Sequence, residues 1–201
     1  LQSPGYSPGA MELNKTYYWR VDETDGSTIW KGDVWSFKTI PNVIIENFDI
    51  SGSNWPALGT GSTGYSTAAC QGTGAMKLSY DNHHAPYYAG AQRDVDGLDM
   101  SVNGIQYLSL TYRGDASNDT SHAVLFIELV DGQNRQVRAE NSDPNAVLVE
   151  NCTQWDISLD EFVLIAGSVD FDFANIDQIR VGVGDSEMPS GEVSGTILID
   201  T

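Results

Sequence analysis

Apolar and polar residues alternate with a period of two along most of this 201-residue chain, and helical spacing is nearly absent. The alternating segments are short and are separated by turn residues such as Asp25-Gly26 and Asp131-Gly132. Beyond the first forty residues we read strands at 43–49 (VIIENFD), 75–81, 87–94, 105–112, 122–130, 135–140, 146–149, 153–158, 176–184 and 195–200. The segment SLDEF, 158–162, places Ser158 as an N-cap before one short helical turn. The Gly/Ser/Thr-rich stretch 51–74 has no alternation and is read as a long loop, a kind of segment that is usually functional or mobile. This pattern predicts an all-β fold, a β-sandwich of jelly-roll type.

The stretch TYYWRVDETDGSTIWKGDVWSFKT, 16–39, holds three of the five tryptophans. Tyr17, Trp19 and Val21 alternate with Tyr18, Arg20 and Asp22, and Trp35 and Phe37 form a second alternating set after the Asp25-Gly26 turn. The expectation is a hairpin-like unit with large rings on one face. Over residues 11–40 this pattern resembles the last two strands of a fibronectin type III domain, with Tyr17 at the position of the tyrosine corner. A sandwich of that kind needs about 100 residues, and a lone hairpin is marginal in water. Residues 1–40 are therefore expected to be a partial fibronectin type III-like segment whose rings are half of a core rather than a ligand platform. Its complement would be sequence upstream, the second unit, or a neighbouring subunit through strand addition. TIPN, 39–42, marks the boundary, because Pro41 removes a ladder donor, and 41–201 reads as the second domain.

Formal net charge is −18, with −1 on residues 1–40 and −17 on 41–201. Such a field repels phosphate backbones and argues against nucleic acid as a partner. No apolar run is long enough for membrane insertion as a helix, and no basic-then-apolar leader opens the sequence. Cys70 and Cys152 have no metal-ligand spacing; they form a disulfide if the compartment is oxidising, and are otherwise two buried thiols. Asn14, Asn118 and Asn151 match the glycosylation sequon, a weak signal.

The motifs MKLSYDN, YLSLTYRGD, LFIELVDGQNR, TQWDISLDEF, IRVGVGDSE and GTILID occur in an order that resembles the jelly-roll modules of large secreted multidomain proteins of planctomycete-type bacteria. The wider group is the galactose-binding-like fold of many carbohydrate-binding modules. The resemblance covers 43–201 and implies a structural calcium between the first and last strands, which would place Glu46 and Asp200, with Asp49 as a third ligand, around the ion. Independently, Glu46 lies among Val43, Ile44, Ile45 and Phe48, where a carboxylate must be paired, hydrated or metal-bound.

For a ligand, exposed rings on loops are better candidates than rings in alternating strands. Trp55 and Tyr65 lie in the 51–74 stretch, and His83, His84, Tyr87 and Tyr88 crowd a turn around Pro86. Trp155 reads as core. His83 and His84 point to opposite faces if extended, and His122 has no evident partner, which argues against metal catalysis. Glu128 stands mid-strand on the face of Val124 and Phe126, as a solvated carboxylate or as a partner for a ligand hydroxyl. No nucleophile elbow or phosphate loop is present, and the chain is read as a non-enzyme. The expectation is a secreted or cell-surface module that binds polysaccharide through ring stacking and hydrogen bonds. The alternative is a structural or adhesive module of an extracellular assembly, completed by strand exchange with a neighbour.

Overall fold

A computed structural model describes residues 11, 15–39, 44–51, 55–102, 104–119, 123–184 and 193–200. The chain divides into two units, Leu1–Val43 with Val102–Ile105, and Ile44–Ser101 with Gln106–Thr201.

In the first unit β1 (Thr16–Trp19) pairs antiparallel with β4 (Trp35–Lys38), and β2 (Glu23–Thr24) with β3 (Ile29–Trp30). Asp25 shapes the turn: its Oδ1 accepts the amides of Ser27 (2.9 Å) and Thr28 (2.8 Å) and the Ser27 hydroxyl (2.9 Å). Those bonds, the Ser27 amide first, hold its carboxyl below the ordinary range. The register sets Tyr17 opposite Phe37 and Trp19 opposite Trp35. The first pair stacks at 5.8 Å and the second meets edge to face at 4.6 Å. The expected one-sided display of rings is therefore present, and the rings stay open, with Trp19 46% and Trp35 53% exposed.

The second unit is a two-sheet β-sandwich, as the alternation predicts. Its strands are β5 (Ala57–Gly59), β6 (Ser62–Ser66), β7 (Ala75–Asp81), β8 (Tyr88–Leu98), β9 (Tyr107–Arg113), β10 (Leu125–Asp131), β11 (Gln136–Glu140), β12 (Thr153–Ser158), β13 (Val163–Ile165), β14 (Ile176–Gly184) and β15 (Ser194–Asp200). One sheet has the order β13-β11-β10-β14-β8-β5 and the other β12-β9-β15-β7-β6. Every pairing is antiparallel. Leu125, Ile127, Leu129, Val181 and Val183 of the first sheet and Leu78, Ile157, Ile197 and Ile199 of the second are fully buried. Each such aliphatic side chain contributes about 1.5–3 kcal/mol. Trp155, on the same parity as Ile157, is half-buried.

Cys70 and Cys152 form a disulfide, with Cα atoms 5.6 Å apart across 82 residues of sequence. Ser158 caps the 3-10 turn Leu159–Glu161 with a complete capping box, as the sequence predicts. Asp131, 2% exposed, organises the β10–β11 turn. Its Oδ1 accepts the amides of Gln133 and Arg135 at 2.9 Å, and its Oδ2 takes Arg135 Nε at 2.6 Å and the Asp172 amide at 3.1 Å.

Three expectations are corrected. Of the segment 43–49, Val43 lies outside the described residues and 44–49 form no strand. Glu46 Oε1 accepts the amides of Asn47 (3.1 Å) and Phe48 (3.0 Å), and Phe48 turns at φ 54°. The segment 146–149 is a 3-10 turn, Ala146–Leu148, rather than a strand. The stretch 51–74 contains edge strands β5 and β6 rather than one loop. Its small residues permit close strand approach: a Cβ on Gly59, itself at φ 61°, would lie 2.1 Å from the Tyr88 carbonyl oxygen.

Candidate functional site

The register of the six-stranded sheet aligns one polar row across four strands. Arg138 of β11 is opposite Glu128 of β10, which is opposite Arg180 of β14, which is opposite Gln92 of β8. These positions have the parity that faces away from the aliphatic core. Arg138 donates from Nε (3.0 Å) and Nη2 (2.6 Å) to Glu128 Oε1, and its Nη1 lies 3.5 Å from Glu140 Oε1. Arg180 Nη1 is 3.7 Å from Glu128 Oε2, its Nε donates to Gln92 Oε1 (3.2 Å) and its Nη2 to Gln178 Oε1 (2.9 Å). Gln92 Nε2 continues the chain to Asp94 Oδ1 at 3.2 Å.

Beside this row lies an aromatic step. The Arg138 guanidinium sits 4.1 Å from the Phe126 ring centroid, and Tyr88 meets Phe126 edge to face at 6.5 Å. Phe126 extends over Gly182 on the next strand, where a Cβ would come within 2.5 Å of its ring. The side chains of Glu128 and Arg138 are only 10% and 11% exposed. Charges this sheltered need mutual pairing, and the ladder supplies it. The face offers donors, acceptors and the half-buried ring of Tyr88, with two guanidinium charges set among the carboxylates of Glu128, Glu140 and Asp94, while Phe126, 2% exposed, lies beneath Arg138 and supports the row from below.

Of the residues singled out in the sequence, Glu128 and Tyr88 are brought to this one face. Arg138, Arg180 and Gln92 went unread because their alignment depends on inter-strand register. A signal was available for two of them: Arg138 and Arg180 are each a lone charged residue between aliphatic or small neighbours, on the outward parity, whereas Gln92 runs on into Arg93 and Asp94 and carried no such mark. His83 and His84 sit on the exposed β7–β8 turn, where the His83 Nδ1 contacts Asp81 Oδ1 and that bond holds the Asp81 carboxyl below its usual range. Tyr87, at φ 63°, is half-buried and donates its amide to the His84 carbonyl (3.0 Å). His122 lies outside the described residues.

Trp55 is not the exposed loop ring expected: it is 8% exposed and packs on Phe48 at 5.7 Å. With Tyr65 it lines a separate half-open cavity of about 150 Å³ beside β6 and β7.

The three candidate calcium ligands do not fit an ion as arranged. Glu46 Oε2 pairs with Arg93 Nη1 at 2.6 Å, Asp49 Oδ1 accepts the Thr73 amide at 2.5 Å, and Asp200 Oδ2 accepts the amides of Cys70 (2.6 Å) and Gln71 (2.8 Å). Among the described residues no cluster of three or more acidic, His or Cys side chains is set to hold a metal. Asn118 is also spoken for, since its amide donates to the Val147 (2.7 Å) and Thr196 (2.8 Å) carbonyls and its oxygen accepts the Thr196 amide (2.9 Å).

No protein-family profile matches the chain, and no curated protein sequence does. Solved structures do match. The family 11 carbohydrate-binding module from Clostridium thermocellum, in complex with a β-1,3-1,4-mixed-linked tetrasaccharide, aligns at TM-score 0.56 and 16% identity over 78% of this chain and 91% of that one. The family 11 module of the cellulosomal cellulase Lic26A-Cel5E of the same organism aligns at TM-score 0.53 and 15% identity, over 77% and 88%. An exo-β-agarase aligns at TM-score 0.55 and 17% identity over 77% of this chain, a span equal to 23% of the enzyme. At these identities the likeness establishes a shared sandwich fold.

Proposed function

We propose that the second unit is a non-catalytic module that binds a polysaccharide chain on the outward face of its six-stranded sheet. The observation that carries this reading is the sheltered row Arg138–Glu128–Arg180–Gln92, flanked by the half-buried ring of Tyr88, which Phe126 backs edge to face. Strands about 4.8 Å apart give such a row a length suited to several linked sugar rings. Sugar hydroxyls both donate and accept, which suits alternating guanidinium, carboxylate and amide groups, and ring C–H faces suit an aromatic wall. The solved modules of this fold, one of them holding a mixed-linked tetrasaccharide, support the reading.

Charge favours neutral glycans. The row pairs its own arginines with carboxylates, and residues 41–201 carry a net −17. A disulfide of this kind belongs to an oxidising compartment, which supports a secreted or cell-surface location. No helix among the described residues is long and apolar enough to cross a membrane. Residues 1–40, with their open rings, remain our candidate for contact with a neighbouring domain or subunit.

The test is affinity electrophoresis of the full chain in mixed-linkage β-glucan, agarose, xylan and an anionic polysaccharide. Retardation by a neutral glycan that Arg180→Ala weakens at least tenfold is expected. Retardation unaffected by Arg180→Ala and Tyr88→Ala would place binding elsewhere and refute this reading.

A further inference from the structure

The dipeptide Asp-Gly occurs three times in the chain, as Asp25-Gly26, Asp96-Gly97 and Asp131-Gly132. It is the aspartyl sequence most open to rearrangement, because glycine has no side chain to shield its amide nitrogen from the preceding carboxyl carbon. All three pairs share this chemistry, and the fold treats them differently.

Two pairs are tied down at both reacting groups. Asp25 Oδ1 accepts the amides of Ser27 and Thr28 and the Ser27 hydroxyl, and the Gly26 amide donates to Thr24 Oγ1 at 3.0 Å. The buried Asp131 carboxylate accepts the amides of Gln133, Arg135 and Asp172 and the Nε of Arg135. The Gly132 amide donates to the Asn175 carbonyl at 2.9 Å.

The third pair has no such restraint on its carboxylate. Asp96 and Gly97 are both exposed, and the Asp96 side chain has no hydrogen-bond or ion-pair partner among the described residues. The pair lies in a bulge of β8. Asp94 pairs with Gln178 and Leu98 with Ile176, so Val95, Asp96 and Gly97 stand opposite the single residue Asp177. The extra residues of a bulge fall outside the regular ladder.

We propose that Asp96-Gly97 is a modification site, at which aspartate converts to isoaspartate through a cyclic imide. The Gly97 amide nitrogen attacks Asp96 Cγ and an N–C bond forms. The amide proton, one carboxylate oxygen and one solvent proton leave as water. Water then opens the imide. Opening at Cγ restores aspartate, and opening at the Asp96 backbone carbonyl carbon leaves the chain running through Cβ and Cγ. Water is the only co-reactant, released in the first step and consumed in the second. The product adds one carbon to the backbone of β8, just beyond Asp94, whose Oδ1 takes Gln92 Nε2 at the end of the polar row. The modification does not depend on what that row binds.

The test ages the full chain in neutral buffer at physiological temperature. Isoaspartate is read by an isoaspartyl methyltransferase with labelled S-adenosylmethionine, followed by peptide mapping. The chain aged in urea is the reference, in which all three pairs are free. We expect the folded chain to gain label at Asp96 at nearly the rate of the unfolded chain, and Asp25 and Asp131 to be labelled several-fold more slowly than in urea. Asn103-Gly104 also yields isoaspartate, but by deamidation, which changes the peptide mass, whereas isomerisation at Asp96 does not. Asp96→Glu should remove the Asp96 label and leave the urea midpoint unchanged. Gly97, at φ 80°, is kept, because a side chain there is strained. Asp96→Asn supplies ammonia as an easier leaving group and should deamidate at 96 in the folded chain. Asp96 labelled no faster than Asp25 and Asp131, or an Asp96→Asn chain that deamidates at 96 only when unfolded, overturns the proposal.

Discussion

Glu128 on β10 is held between Arg138, 2.6 Å away at Nη2, and Arg180, 3.7 Å away at Nη1, each from an adjacent strand. Removing the carboxylate leaves two sheltered guanidinium groups without their shared partner. Glu128→Ala is therefore expected to cost about 3–5 kcal/mol, read as a lower urea midpoint. Glu128→Met, which keeps the bulk, should be no better, because Arg138 keeps only the longer contact to the exposed Glu140 and Arg180 only neutral amide partners.

Tyr88 is half-buried and packs edge-on against Phe126. Tyr88→Ala is expected to weaken polysaccharide retardation about tenfold or more while costing less than the ~3–5 kcal/mol of a fully buried aromatic. Affinity electrophoresis and a urea melt on the same protein separate these two effects.

The Asp131 carboxyl is pushed up by burial, but the amides of Arg135, Gln133 and Asp172 and the Arg135 side chain outweigh that and leave it below the ordinary range. The folded chain thus holds this proton less tightly than the unfolded chain. Its contribution is present above the ordinary Asp value of about 3.9 and is lost as pH falls through the lower folded value. Asp131→Asn should give a shallower fall of the urea midpoint with acidification. Some slope remains in the variant, since Asp81, Asp115 and Asp156 are also held down by hydrogen bonds.

The disulfide closes a loop of 82 residues, for which chain entropy gives roughly 4 kcal/mol. Cys152→Ser, or reduction, should lower the melting temperature by about 8–16 °C for a domain of this size. Calorimetry with and without dithiothreitol measures it.

Calcium is expected to leave the melting temperature unchanged, because Arg93 already neutralises Glu46 and backbone amides already satisfy Asp49 and Asp200. A rise of several degrees on adding calcium to chelator-treated protein would mean that these side chains rearrange around the ion.

Legibility followed the strength of alternation. TQWDIS and IDQIRVGVG coincide with β12 and β14 to the residue, because their more buried positions alternate, Trp155 and Ile157 in the first and Ile179, Val181 and Val183 in the second. VIIENFD reads like a strand by composition, yet Glu46 caps its own downstream amides and diverts the backbone. β5 and β6 escaped notice because edge strands of three and five residues, chosen small for close approach, carry no apolar rhythm. For the candidate site, Glu128 and Tyr88 stood out singly. What joins them to Arg138, Arg180 and Gln92 is inter-strand register, which rests on contacts between residues far apart in sequence.

The Phe126 ring resting over Gly182 has an evolutionary corollary. Any side chain at 182 evicts the ring, and with it the surface on which the Arg138 guanidinium lies. A Cβ at 182 would also lie 2.6 Å from the Ala89 carbonyl oxygen, so the two positions are constrained unequally: the aromatic at 126 depends on the glycine, but the glycine does not depend on the aromatic. Among descendants of this chain the ring should be lost first, and a lineage without it should still carry the glycine as a trace of how closely the two strands approach.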